Sequence, residues 1–159
     1  MSISARVSSY LVQNNIPYQV YPHFHSVNSI SSAISANIPL DHIAKAVILK
    51  DHQDRFMMAV LPGNNKINLS VINDELMGSY QLLKEDEVYK LFNDCEHGAV
   101  PPIAQAYNMG MVCDKSLDEL EDVYLEAGDH ERLICINKQS FEKLTANAKH
   151  IRFSQLMVH

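Results

Sequence analysis

One lysine of the sequence lies inside an apolar run, where its charge could serve a binding site. Lys45 belongs to segment 43–49, and in a β-strand Ile43, Val47 and Leu49 would share its face. A lysine in these surroundings must extend its ammonium to water, pair with an anion or line a cavity. Burial would lower its pKa, whereas a nearby anion would raise it. The pattern predicts either an edge-strand lysine that reaches solvent or a cationic group in a site.

A second segment combines a glycine with two adjacent prolines. Gly98 permits a positive φ or the close approach of a ligand, and the prolines stiffen the backbone that follows. Such a turn can present fixed N–H groups to a carbonyl oxygen, as an oxyanion hole does. A plain connecting loop is the alternative. The residues of this turn are Gly98, Ala99, Val100, Pro101 and Pro102.

A third segment, residues 126–131, lies between two predicted strands and contains Gly128, Asp129 and His130. A loop histidine can act on a substrate or can simply be solvated. The sequence alone leaves both interpretations open.

Metal and nucleotide motifs are absent from the sequence. The closest spacings among eight histidines and three cysteines are His23-x-His25 and Cys95-x-His97, and neither matches a common zinc signature. No GxGxxG, Walker A or GxSxG segment occurs. A nucleophilic pair of Cys95 and His97 has little support, because residues two apart on a strand do not face each other. The motifs therefore predict neither a metal site nor a nucleotide-binding loop.

Composition favours a soluble cytoplasmic protein with one domain over residues 1–159. The formal net charge is -6, which excludes a surface that coats nucleic acid through general basic charge. The last segment, from residue 132, is more basic and leaves room for a local basic face. Three widely spaced cysteines predict free thiols in a reducing compartment. The N-terminus has no signal or transit pattern, and no apolar run approaches the ~20 residues that span a bilayer.

Strands and helices alternate without a strict βαβ rhythm, which predicts an α+β fold with a central mixed β-sheet flanked by helices. A β-hairpin of two buried strands is the clearest element, over residues 43–49 and 56–61. Helices are predicted over 3–14, 29–36, 71–77, 85–91 and 139–144, and further strands over 18–21, 110–113, 123–125, 133–136 and 150–153.

In their order and spacing, these segments resemble the YbaK family, which includes the inserted editing domain of bacterial prolyl-tRNA synthetase and its freestanding relatives. The resemblance is carried by the strand Ala44–Leu49, the Gly-x-x-x-Pro turn Gly98–Pro102, the loop Gly128–Glu131 and the segment His25–Ser29. It implies a compact mixed α+β fold and no metal or organic cofactor. It also implies hydrolysis of mischarged aminoacyl-tRNA, usually tRNA for proline carrying alanine, cysteine or another small amino acid.

The resemblance also implies roles for single residues. Lys45, Gly98 and His130 match the positions of the catalytic group, and Lys45 would anchor the terminal adenosine phosphate or orient the aminoacyl group. The backbone N–H groups near Gly98 would stabilise the oxyanion, while a water and the ribose hydroxyl of the substrate replace a protein base. The matching substrate-binding positions are His25, Ser29, Ala99, Val100, Pro101, Pro102, Gly128 and Asp129.

Asp129 departs from the family pattern, in which smaller residues are common, and would bind the substrate amino group or cap its loop. The partners implied are mischarged tRNA and an aminoacyl-tRNA synthetase, with no membrane and no DNA. Two alternatives remain: a non-catalytic module that binds tRNA or a protein on the same fold, and a fragment of a larger signalling protein.

Overall fold

The two apolar runs form the predicted hairpin at the centre of the sheet. Strands Ile43–Lys50 and Phe56–Pro62 pair antiparallel, with Ala46 opposite Val60. The carboxylate of Asp51 accepts hydrogen bonds from the backbone N–H groups of Gln53 and Arg55, both at 2.9 Å, and fixes the polar turn between the strands. The hairpin is thus specified locally, by apolar strands and by an aspartate that caps the turn.

The computed structural model describes residues 3–23 and 37–157. The strands are β1 (Gln19–Pro22), β2 (Ile43–Lys50), β3 (Phe56–Pro62), β4 (Asn65–Ile67), β5 (Gln81–Leu82), β6 (Gly110–Asp114), β7 (Asp122–Glu126), β8 (Arg132–Asn137), β9 (Lys149–Ile151) and β10 (Ser154–Leu156). The α-helices of the described residues are α1 (Ala5–Gln13), α2 (Leu69–Leu76), α3 (Glu85–Leu91) and α4 (Lys138–Leu144). Short 3₁₀ turns cover Leu40–His42, Ala104–Tyr107 and Lys115–Glu119.

The main sheet is mixed, with strand order β1-β8-β7-β2-β3-β6-β9 and β5 paired to β2. The contacts β2–β7, β3–β6 and β6–β9 are parallel and the others antiparallel. Strands β10 and β4 form a separate two-stranded sheet. The predicted α+β fold with a central mixed sheet and flanking helices is confirmed.

Helices cover both faces of the sheet. Alternate residues of β2 point to opposite sides. Ala44 belongs to the large apolar cluster that also contains Leu11 of α1 and Phe141 of α4. Leu49 belongs to a second cluster with Ile72 of α2. Among the described residues, no helix combines the length and the apolar character needed to cross a bilayer.

The C-terminal strand differs from the prediction. The strand predicted over 150–153 is found as β9, but it ends at Ile151, and the chain then forms a further strand, β10, that was not predicted. The Asp114 carboxylate accepts hydrogen bonds from the Phe153 backbone N–H, at 3.1 Å, and from the Ser154 hydroxyl, at 2.7 Å. This contact draws the backbone out of the β6–β9 ladder and redirects the chain towards β4. The predicted helix over 29–36 lies outside the described residues.

Candidate functional site

The predicted lysine and the predicted turn meet at a pocket of about 460 Å³. The pocket lies where the sheet divides, between β2 on one side and α3 with the Gly98 turn (residues 98–102) on the other. Its lining residues are Lys45, Ala46, Val47, Ile48, Gly63, Leu82, Leu83, Glu85, Val88, Tyr89, Gly98, Val100, Glu126 and Met157.

The division of the sheet opens one edge of β2 to the pocket. On that edge β2 pairs with β7 only at Ile43 and Ala44, and with β5 only at Leu49 and Lys50. The Gly63 N–H donates to the Ile43 carbonyl at 2.7 Å, so the odd-numbered residues of β2 direct their backbone groups towards β3. By alternation, the N–H and C=O of Ala46 point to the pocket side.

Lys45 gives the pocket one cationic group, and Glu85 and Glu126 give it two acidic groups. The Lys45 side chain is half-buried, and burial lowers the pKa of its ammonium below the ordinary value. Glu126 ends β7, next to the point where that strand leaves β2, and only 1% of it is exposed. The sequence predicted a lysine that either reaches solvent or faces a cavity, and the structure places it in the cavity wall.

The Gly98 turn contributes a constrained backbone. Gly98 has φ 82°, a region open to glycine but costly for other residues. Its N–H donates to the Tyr89 hydroxyl, and the next N–H, of Ala99, donates to the Glu96 carbonyl at 3.1 Å. The Tyr89 ring stacks on His97, with 3.8 Å between ring centroids. The N–H groups of Gly98 and Ala99 are therefore both bonded to acceptors of the protein itself.

Of the other residues of the turn, one lines the pocket and three lie in the core. Val100 lines the pocket, whereas Ala99, Pro101 and Pro102 are buried behind it. These three residues thus support the pocket wall without forming its surface.

The Gly128 loop (residues 127–131) lies behind the pocket, directly after Glu126, which lines it. Gly128, Asp129 and His130 are all buried, and none of them lines it. The Asp129 carboxylate accepts hydrogen bonds from the backbone N–H groups of Glu131 and Arg132, both at 3.0 Å, and pairs with the Arg132 guanidinium. Of the two roles considered for Asp129, the observed contacts are those of a loop cap.

His130 supports the Gly98 turn on the side that faces away from the pocket. Its Nε2 donates to the His97 carbonyl, and the Glu96 N–H donates to the Gly128 carbonyl at 2.8 Å. The structure thus brings His130 to the back of the turn rather than to the pocket. The remaining predicted positions, His25 and Ser29, lie outside the described residues.

Tyr89, Glu126 and Met157 are among the pocket residues that were not predicted. Tyr89 follows Glu85 and Val88 at the i, i+3, i+4 spacing of one helix face, so its direction could have been read from the sequence. Glu126 was visible as the acidic end of a predicted strand. Met157 reaches the pocket because its N–H donates to the Asn64 carbonyl at 3.0 Å, a contact that no local pattern indicates.

Comparison with known proteins agrees with this architecture. Residues 25–144 match the family model described as an aminoacyl-tRNA editing domain. No curated protein sequence matches the chain. The crystal structure of the hypothetical protein APE2540 has a TM-score of 0.83 at 20% identity, covering 94% of this chain and 99% of that one.

Two further solved structures share the fold. A provisionally identified trans-editing enzyme for prolyl-tRNA synthetase has a TM-score of 0.78 at 17% identity, covering 96% of each chain. A provisionally identified signal transduction protein from Marinobacter aquaeolei VT8 has a TM-score of 0.76 at 23% identity, covering 94% of this chain but 30% of that one. The family match spans most of the sequence, from before Lys45 to beyond His130, and the chain therefore belongs to the aminoacyl-tRNA editing domain family.

Proposed function

We propose that this protein hydrolyses mischarged aminoacyl-tRNA in trans, acting on tRNA for proline that carries a small non-cognate amino acid. The observation that carries the proposal is the pocket in which Lys45 and the Gly98 turn face each other across the divided sheet. Membership of the editing domain family supports the reaction class. Water adds to the ester carbonyl and the bond to the ribose oxygen breaks, which releases the free amino acid and the tRNA.

The charges of the pocket suit both ends of such a substrate. The Lys45 ammonium would anchor the phosphate of the terminal adenosine, and an anion at that point would return its lowered pKa towards the ordinary value. Glu126 would face the ammonium of the aminoacyl group. The apolar wall of Leu83, Val88 and Val100 would admit a small side chain and exclude a large one, so that discrimination is steric.

The hydrogen bond between Gly98 and Tyr89 changes the hypothesis of a backbone oxyanion hole. Because the Gly98 N–H donates to the Tyr89 hydroxyl oxygen, the hydroxyl proton is free to donate into the pocket that Tyr89 lines. The N–H polarises this hydroxyl, so that the turn would act on the substrate carbonyl through Tyr89. Burial raises the pKa of Tyr89, which keeps it protonated as a donor.

The buried Gly128 loop would act as a positioning element. His130 holds the His97 carbonyl, and the Gly128 carbonyl holds the Glu96 N–H. Both contacts fix the backbone that leads into the Gly98 turn. We therefore assign His130 a role in orienting the turn, without proton transfer to substrate.

The direct test measures deacylation of a panel of mischarged tRNAs, with and without the cognate synthetase. We expect hydrolysis of tRNA for proline carrying alanine or another small residue, and Lys45→Ala should lower kcat/KM by about a hundredfold or more, equivalent to about 2.7 kcal/mol. Lys66→Ala is the matched control, because Lys66 is an exposed lysine of β4. Absence of hydrolysis above buffer on every tRNA, or full activity of Lys45→Ala, would refute the proposal.

A second measurement isolates Tyr89. Tyr89→Phe keeps the ring that stacks on His97 and removes the hydroxyl, so kcat should fall about tenfold to a hundredfold with little change in KM. Tyr124→Phe is the control, because Tyr124 lies on β7 and does not line the pocket. An unchanged kcat in Tyr89→Phe would show that the Tyr89 hydroxyl is not the donor to the substrate carbonyl, and would assign that role to a backbone N–H.

A non-catalytic module remains the second candidate. It is favoured by the Marinobacter structure, in which a domain of this fold occupies 30% of a longer chain described as a signal transduction protein. Retention of uncharged tRNA or of a protein partner, without turnover of any mischarged tRNA, would identify this function.

A further inference from the structure

A cysteine, an aspartate and a histidine meet at the edge of the sheet formed by β6 and β9. Cys113 of β6 is directly opposite His150 of β9 in the parallel register, so the two side chains share a face. Asp118 approaches from the 3₁₀ turn that follows β6. The Sγ, one ring nitrogen and one carboxylate oxygen all lie within 4.8 Å of one another.

Hydrogen bonding holds the His150 ring in the orientation of a metal ligand. Its Nε2 lies 3.1 Å from the Thr145 carbonyl, which can only accept and so keeps the proton on Nε2. The Nδ1–H donates to the Asp118 carboxylate at 2.8 Å, and a metal ion bound between the two side chains would replace this proton. Metal-binding histidines commonly donate their second N–H to a backbone carbonyl in this way.

The local charge favours a cation. Burial raises the pKa of the Cys113 thiol, and the charges of Asp118 and Asp114 raise it further. The same negative potential that opposes a thiolate attracts a metal ion, which would displace the thiol proton on binding. Cys113 is buried, but the side chains of Asp118 and His150 are partly exposed, so an ion and a water molecule can reach the trio.

We propose that Cys113, Asp118 and His150 bind a divalent transition-metal ion of the zinc class, with water as the fourth ligand. The mixed sulfur, nitrogen and oxygen donor set suits zinc, whose tetrahedral geometry places donor atoms about 3.3–3.6 Å apart. Side-chain movements of about 1 Å would bring the trio to that geometry. Sequence spacing gives no hint of the site, because the ligands are brought together by β-sheet pairing.

The ion would tie the C-terminal segment to the sheet. It would join β6, the 3₁₀ turn and β9, and the chain then continues through β10 to Met157 in the pocket wall. Metal binding would therefore stabilise the fold and one wall of the pocket, without taking part in ester hydrolysis.

The test is a Co²⁺ titration of untagged, chelator-treated full-length protein. We expect one equivalent to give a near-ultraviolet thiolate-to-cobalt band and the visible bands of a tetrahedral ion, both removed by Zn²⁺. Zn²⁺ at a hundredfold excess over Kd should raise Tm by about 5 °C. Cys113→Ser should abolish the thiolate band, and His150→Gln and Asp118→Asn should weaken binding by about tenfold or more.

Cys135→Ser is the matched control, because Cys135 is another buried cysteine that lies outside the trio. The control should keep the band and the Zn²⁺-dependent rise in Tm. Absence of a thiolate band in the wild type, or its persistence in Cys113→Ser, would overturn the proposal. If Cys113→Ser does not fold, unchanged Co²⁺ affinity in both His150→Gln and Asp118→Asn would overturn it equally.

Discussion

The Gly98 turn and the Gly128 loop look alike in sequence but occupy opposite sides of the pocket wall. Each has a glycine at positive φ, 82° for Gly98 and 108° for Gly128, and each has a histidine beside its glycine or one residue further on. Gly98 faces the pocket, whereas Gly128, Asp129 and His130 are buried behind it. Similar residue types therefore build a pocket surface in one loop and its support in the other.

The difference arises from the hydrogen bonds that each loop makes. In the Gly128 loop, the Asp129 carboxylate pairs with Arg132. The Gly128 carbonyl and the His130 ring bond to the other loop, at Glu96 and His97. The Gly98 turn directs its N–H to the hydroxyl of Tyr89, a residue that lines the pocket. A substitution in the Gly98 turn should therefore act mainly on activity, and one in the Gly128 loop mainly on stability.

Gly98→Ala should have the largest effect on activity. A side chain at φ 82° is strained by about 1–2 kcal/mol, and relief of that strain would move the N–H away from Tyr89. We expect kcat/KM for the mischarged substrate to fall about a hundredfold, whereas the free energy of unfolding falls by about 1–2 kcal/mol. Steady-state deacylation and urea unfolding of the same preparation separate the two effects.

Gly128→Ala should reduce stability more than activity. Its φ of 108° is strained for alanine, and the added Cβ would lie 3.3 Å from the Cys95 Sγ and 3.4 Å from the Ser4 Cβ. We expect a loss of about 2–3 kcal/mol in the free energy of unfolding and less than about fivefold in kcat/KM of the folded fraction. If Gly128→Ala loses activity as strongly as Gly98→Ala and keeps its stability, the Gly128 loop acts in the pocket and does not merely support it.

Asp129→Asn tests whether the buried acid binds substrate. An amide oxygen can still accept from the Glu131 and Arg132 backbone N–H groups, but the charge that pairs with the Arg132 guanidinium is lost. We expect a loss of about 1–2 kcal/mol in stability and a KM within about twofold of the wild type. A tenfold rise in KM at unchanged stability would instead show that Asp129 receives the substrate amino group.

The sequence predicted the fold well where the signal was local. The hairpin, α3 and α4 follow from periodicity. In the structure α4 begins at a cap, where the Asn137 side chain accepts from the Ser140 N–H at 2.8 Å. For Lys45 the sequence left two alternatives, a lysine that reaches solvent and a cationic group in a site, and only the structure places it in the pocket wall. The position of the Gly128 loop depends on contacts between distant segments. Local patterns cannot distinguish a loop that faces a ligand from one that faces another loop.

The smallest expected effect concerns the support that α1 gives to both loops. The Ser4 N–H donates to the Ala127 carbonyl at 3.0 Å, and the Ser4 hydroxyl donates to the Asp94 carboxylate, just before the Gly98 turn. Burial raises the pKa of Asp94, but hydrogen bonds from Arg6 and Ser4 outweigh it and lower the pKa from 3.8 to about 2.

A carboxyl group with a lowered pKa stabilises the fold fully above its unfolded value of 3.8, and this contribution disappears as the pH falls to about 2. Because Arg6 is exposed, solvent screening limits the contribution to about 0.5–1 kcal/mol. Wild type and Asp94→Ala should therefore differ in Tm by a constant amount above about pH 5, and the difference should shrink between 3.8 and about 2. A difference that persists unchanged below that interval would mean that Asp94 supports the loops through packing, so that its charge contributes nothing.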